Sequence, residues 1–183
     1  MRTVIYSILP LLLLSLFSNA SMEAQNVHPK REFRGVWFAT VANIDFPSAP
    51  GLTEQAFLEE WSRNLDIFKD AGFNAVIAQM RPNGDAFYNS KIAPRSKYVG
   101  HDAGAEPGDD FDPMKLMIAE AHKRNLEFHA WLNPYRAAMD TLVEKLSPHH
   151  PYHSHPDWFI KYGGKLYFNP ALPAVRNYIT EVV

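Results

Sequence analysis

Three β-type runs alternate with apolar stripes of helical period, and this alternation restricts the fold more than any other feature of the chain. Residues 33–40 (FRGVWFAT), 73–81 (FNAVIAQMR) and 126–133 (LEFHAWLN) are rich in branched and aromatic side chains, the composition of strands. After the first run, Thr53 offers a capping oxygen and Glu54 stands in the first turn. Phe57, Trp61, Leu65 and Phe68 then recur at helical spacing as far as Gly72. After the second run, Asp112-Pro113 supplies a cap and an N1 proline. Met114, Met117, Ile118 and Ala121 form the stripe, with Lys123 and Arg124 at the favourable end of the dipole. Asn169-Pro170 repeats that start, and Leu172, Val175, Ile179 and Val182 follow at the same period.

Strand–helix alternation predicts a parallel sheet covered by helices. No GxGxxG or GxxxxGK[ST] follows any strand, so a doubly wound nucleotide-binding sheet has no support. The expected fold class is α/β, of the (β/α)8 TIM-barrel type. Because such a barrel takes roughly 250 residues, the chain is expected to hold about its first three strand–helix units. Segments 41–51, 82–111 and 134–168 read as long loops, with 140–146 compatible with a short helix.

The N-terminus bears on compartment. Arg2 precedes an apolar run at 4–17, and Ser18-Asn19-Ala20 supplies the small residues of a cleavage site, the order of a secretory signal. The run is broken by Pro10 and is shorter than the roughly 20 residues a bilayer requires. The expectation is a signal peptide at 1–20, a polar lead-in at 21–32 and the barrel portion at 33–183. The mature protein is then exported, periplasmic or extracellular, and not membrane-spanning. The chain has no cysteine, which excludes lipoprotein anchoring, disulfides, thiolate zinc sites and cysteine nucleophiles. A net charge of −2 gives no electrostatic case for nucleic acid.

Strand alternation divides the side chains by face. In the second run Ala75, Ile77, Gln79 and Arg81 share one face, and Val76, Ala78 and Met80 the other. In the third, Phe128, Ala130 and Leu132 oppose His129, Trp131 and Asn133. The apolar faces suit the helices, so the mixed faces should point inward and toward the C-terminal mouth, where barrel active sites lie. Arg81, Asp85, Trp131, Asn133, Tyr135 and Arg136 are therefore the candidate substrate-binding residues. For both arginines the competing role is a structural salt bridge. For Trp37 and Trp131 core packing is the favoured role.

Glycoside hydrolysis generally needs two carboxylates. Among Asp45, Asp85, Asp102, Asp109, Asp110 and Asp157, only Asp85 lies near a strand end in a compact polar motif, so catalytic residues stay unassigned. His149, His150, His153 and His155 cluster in a proline-rich loop without metalloenzyme spacing, and no metal or other cofactor is expected.

Three segments carry a family resemblance: QMRPNGDAFYNSKIAP (79–94), FDPMKLMIAEAHKRNLEFHAWLNPYR (111–136) and HPDWFIKYGGKLYFNPALPAVRNYI (155–179). They closely resemble the glycosyl hydrolase-like 10 family, and EFRGVWFAT (32–40) is similar to its opening strand. The resemblance implies an exported bacterial protein with a TIM-barrel hydrolase domain, in a family with members implicated in cleaving peptide-free peptidoglycan strands. It also implies that Arg81, Asp85, Asn133 and Arg136 lie at the active-site mouth. Two departures are Arg95, where members usually carry Trp, and the loop 101–110. The resemblance puts the paired catalytic acids on a strand expected after Val183. The expected function is a glycoside hydrolase-like domain acting on a bacterial polysaccharide. The alternative is a non-catalytic or vestigial carbohydrate-binding fragment. Expressed alone, the 183-residue chain is expected to be poorly folded and inactive.

Overall fold

The three β-type runs form one parallel sheet in the order β1–β2–β3. The computed structural model describes residues 32–99 and 111–183. The expected signal peptide at 1–20, nearly all of the expected lead-in and the loop 101–110 lie outside the described residues. β1 (Gly35–Phe38), β2 (Ala75–Arg81) and β3 (Glu127–Leu132) align with Gly35 beside Ala75 and Ala75 beside Glu127. Helices α1 (Glu54–Asp70) and α2 (Pro113–Lys123) return the chain between consecutive strands. This is the mixed α/β arrangement that the alternation predicts.

Both helix starts follow their caps. Thr53 Oγ1 accepts from Ala56 N at 3.1 Å, and Asp112 Oδ1 accepts from Lys115 N at 3.2 Å. Gly72, at φ 83°, closes α1 with its N–H donating to the Lys69 carbonyl. Phe57, Trp61 and Leu65 are fully buried against Phe38, Val76, Ala78, Met80 and Met117. Trp61 Nε1 also donates to the Met117 carbonyl at 3.1 Å, satisfying its one polar atom inside this core. Truncating a side chain of that size in such packing costs about 3–5 kcal/mol. Across the outer surface, Arg124 joins the helices by reaching Asp66 at 2.6 Å and Glu120 at 2.8 Å.

The face division holds along β2 as far as Gln79. Val76, Ala78 and Met80 face the helices, while Trp37 and Trp131 meet edge-on at 4.9 Å on the opposite face. The favoured packing role fails for Trp37, which is 62% exposed. Its residue stands on the helix-free side, so no core surrounds the indole. The division also fails at Arg81. The register with β3 shifts between Gln79 and Arg81, a bulge that re-aims the strand's last side chain.

The expected long loop at 134–168 instead contains a second sheet of order β4–β6–β5: β4 (Arg136–Ala138), β5 (Phe159–Tyr162) and β6 (Lys165–Phe168). Gly163 and Gly164, at φ 54° and 74°, form the two-residue turn between β5 and β6, a conformation that glycine adopts without strain. The expected short helix at 140–146 is a single 3-10 turn, Val143–Lys145. The last helix, α3 (Pro173–Val182), begins later than Asn169-Pro170 predicts. Pro173 occupies its first turn, while Asn169 Oδ1 accepts from Ala171 N at 3.0 Å and holds a preceding turn. Val175 and Ile179 pack with Ala137, Leu166 and Phe168 in a second core. No helix among the described residues is long and apolar enough to cross a membrane.

Candidate functional site at the strand C-termini

Gln79 organises the C-terminal end of the parallel sheet. Its Oε1 accepts from Thr40 N at 3.0 Å and Val41 N at 2.9 Å, the first backbone groups beyond β1. Its Nε2 donates to Asn133 Oδ1 at 2.6 Å, just beyond β3. The same Asn133 oxygen accepts from Arg136 Nη2 at 3.0 Å, and Arg136 Nε donates to the Pro82 carbonyl at 2.6 Å. One chain of hydrogen bonds thus joins the loops after all three strands. Burial holds the Arg136 guanidinium below its usual pKa, with the Tyr167 phenol acting in the opposite direction.

Arg81 does not reach the surface. It is wholly buried, with Nη1 donating to the Pro134 carbonyl at 3.2 Å and the guanidinium 5.7 Å from the Phe168 ring centroid. The alternation argument aims it at the mouth; the bulge turns it under β6 instead. Neither Arg81 nor Arg136 makes a carboxylate ion pair among the described residues, so carbonyl oxygens take the place of the competing salt bridges. Nε and Nη2 of Arg81 have no partner there. Tyr88 and Tyr178 lie near enough for this charge to oppose the rise that burial imposes on their phenols.

Asp85 is partly buried, and its Oδ1 is enclosed without a hydrogen-bond partner. Burial pushes its carboxyl above the usual range. The Ser96 hydroxyl, its own backbone, and the Arg81 and Lys97 charges act the other way. Tyr135 is half-buried beside the second core, its carbonyl accepting from Phe168 N at 2.8 Å. Trp131, with Trp37, stands on the helix-free face of the sheet.

Beside these groups lies a cleft of about 420 Å³, walled by the loops that follow β1 and β2 and by β4 with the segment after it. Ala42, Asp85, Lys97, Tyr98, Lys145 and His150 are among its lining residues. Ala42 and Asn43 both adopt positive φ, at 52° and 54°, an arrangement that non-glycine residues take only when held there. The β1 loop is so held through Gln79. Of the six candidates, the structure brings Asp85 to this cleft, links Asn133 to Arg136, and separates Arg81 from solvent.

Sequence reasoning missed His150, weighing the histidine cluster only for metal binding. His149, His153 and His155 are exposed, but His150 is only 4% exposed. Its Nδ1 accepts from Tyr152 N at 3.1 Å, which places the neutral ring's proton on Nε2. Burial pushes its pKa down to about 4, the His153 and Arg81 charges assist, and the Ala137 backbone opposes. The available signal was Pro151, which opens a one-turn helix that His150 caps. Among the described residues, no group of three or more histidine or acidic side chains is arranged to hold a metal.

The sequence profile described as Glycosyl hydrolase-like 10 matches residues 32–183. The glycosyl hydrolase YngK of Bacillus subtilis (strain 168) is 47% identical over 157 residues, covering 85% of this chain and 30% of its own length. The glycosyl hydrolase DigH of Escherichia coli (strain K12) is 35% identical over 166 residues, covering 82% and 37%. The chain thus spans about a third of the length of these relatives. A noncanonic maltogenic α-amylase, AmyB from Thermotoga neapolitana, superposes with a TM-score of 0.43 at 16% identity over 78% of this chain and 33% of that one. On the extent of the profile match and the identity to YngK and DigH, the chain belongs to the glycosyl hydrolase-like 10 family.

Proposed function

We propose that this chain supplies the first strand–helix units of a (β/α)8 barrel that hydrolyses a bacterial polysaccharide after export, with peptide-free peptidoglycan strands as its first candidate substrate. The observation that carries this reading is the cleft at the C-terminal ends of the parallel strands, with Asp85 partly buried in its wall. Barrel enzymes build their active sites at that end. Asp85 lines the cleft, Asn133 and Arg136 are hydrogen-bonded to each other beyond β3, and the buried Arg81 charge acts on Asp85.

In such a reaction one carboxyl protonates the glycosidic oxygen as the carbon–oxygen bond breaks. A second carboxylate attacks the anomeric carbon or takes the proton from the water that does. A carboxyl kept partly in its neutral form, as burial favours at Asp85, can also donate a hydrogen bond to a sugar oxygen. The test is to incubate the purified full-length protein with peptide-free glycan strands and follow new reducing ends. Shorter strands are the expected product. Tight binding without cleavage would favour the carbohydrate-binding alternative, and inertness toward every glycan tried would overturn both.

A further inference from the structure

The cleft lining carries three cationic side chains, Arg95, Lys97 and Lys145, against two carboxyls, Asp85 and Asp140. Arg95 is committed: Nη2 donates to Asn89 Oδ1 and to the Phe111 carbonyl, both at 2.9 Å, and the guanidinium lies over the Phe111 ring. Asp140 Oδ1 accepts from Leu142 N at 2.9 Å, a neutral contact that leaves the carboxylate its charge. Lys97 and Lys145 are exposed and form no ion pair among the described residues. Of the two carboxyls in the lining, Asp85 is the one that burial biases toward its neutral form. Two ammonium groups without an ion pair among the described residues therefore share one concavity whose cationic side chains outnumber its carboxyls.

The rest of the lining suits a sugar ring. Tyr98 lies beside Lys97, whose Nζ is 5.1 Å from the ring centroid. Met139 and Leu142 are about 40% exposed and add apolar rim, as the C–H face of a pyranose requires. A volume of about 420 Å³ falls in the small-ligand range.

From this combination we infer that the cleft is a subsite for a sugar ring bearing a free carboxylate, with Lys97 and Lys145 holding the anion and Tyr98 bordering the ring. The long, flexible lysine stems let both ammonium groups converge on one anion. The inference rests on the glycan reading above and makes these two lysines specificity determinants of the same site.

The test uses the full-length protein and two forms of one probe: peptide-free glycan strands with carboxylates intact, and the same strands with the carboxylates reduced to alcohols. Glucuronate and glucose serve as monosaccharide probes, followed by NMR. Intact strands are expected to bind about tenfold more tightly than reduced ones, the size of one charge-assisted contact. In the K97Q/K145Q double variant that gap should close, and in K97R/K145R it should persist. Equal binding of the two strands, or a gap that survives in K97Q/K145Q, would overturn the inference and leave the glycan reading standing. If neither strand binds but glucuronate does, in a lysine-dependent way and in preference to glucose, the subsite stands and the glycan reading falls. If no probe binds, both are overturned.

Discussion

The side-chain amide of Gln79 donates to Asn133 Oδ1 at 2.6 Å, and through this one contact the end of β2 holds the loop that leaves β3. The other end of the same amide holds the loop that leaves β1, through Thr40 N and Val41 N. A single residue, fully buried, thereby ties together the segments that leave all three parallel strands.

Replacing Gln79 with Leu keeps most of the volume and removes all three contacts. Two backbone donors are then buried without partners, at about 1–3 kcal/mol each. The Gln79→Leu protein should lose about 3 kcal/mol or more in urea denaturation. A loss under about 1 kcal/mol would show that water replaces the amide and that the loops are not fixed through it.

Gly84 and His150 form a second tight pair. A Cβ built on Gly84 would fall inside the contact radius of His150 Nε2, and 3.2 Å from the Ala137 carbonyl oxygen. The His150 ring is backed by Phe159 and Phe168, at 5.6 and 6.1 Å by ring centroids. Gly84→Ala should cost about 1–3 kcal/mol, the usual penalty of overpacking. Adding His150→Ala should recover part of that cost, a non-additivity of about 1 kcal/mol or more in a double-mutant cycle. Strict additivity would mean that the ring and the glycine do not meet.

The parallel sheet and its helices were legible because each signal was local. Thr53 and Asp112 cap where their sequence positions place them, and the stripes of α1 and α2 are the buried ones. The candidate site was legible only in part. Alternation places Gln79, Trp131 and Asn133 correctly but not Arg81, since a bulge breaks the period of two and no residue type announces it. The β4–β6–β5 sheet has a sequence signal in Gly163-Gly164 between two aromatic runs, and the prolines around it obscured that signal. The cleft was invisible because Lys97 follows β2 while Lys145 and His150 lie between β4 and β5, and nothing local in the sequence brings these two segments together.

His150 makes the fold sensitive to acid. Its folded pKa, about 4, lies below the ordinary 6.5, so the unfolded chain takes up the proton first as pH falls. Stability therefore rises with pH in this window. The His150 contribution is fully present above about pH 6.5 and is lost as pH falls through about 4, a change of about 3 kcal/mol. Thermal melts of wild type and His150→Phe between pH 4 and 7 check this. The variant should show a visibly shallower acid dependence, and parallel curves would refute the assignment.

Asp85 works with the opposite sign. Its folded carboxyl is raised by burial, so it holds its proton to higher pH than the unfolded chain does. The stability it contributes is present below the ordinary carboxylate range and lost as pH rises through the folded value. Asp85→Asn removes the ionisation and keeps the shape. At pH 7 the variant should melt higher than wild type, and the gap should shrink as falling pH protonates wild-type Asp85. If Asp85 contacts the glycan as proposed, kcat/KM on glycan strands should fall by about tenfold or more in the same protein. A variant that is both more stable and fully active would remove Asp85 from the site. One that is less stable at pH 7 would show that the Ser96 and Arg81 contacts outweigh the burial of the charge.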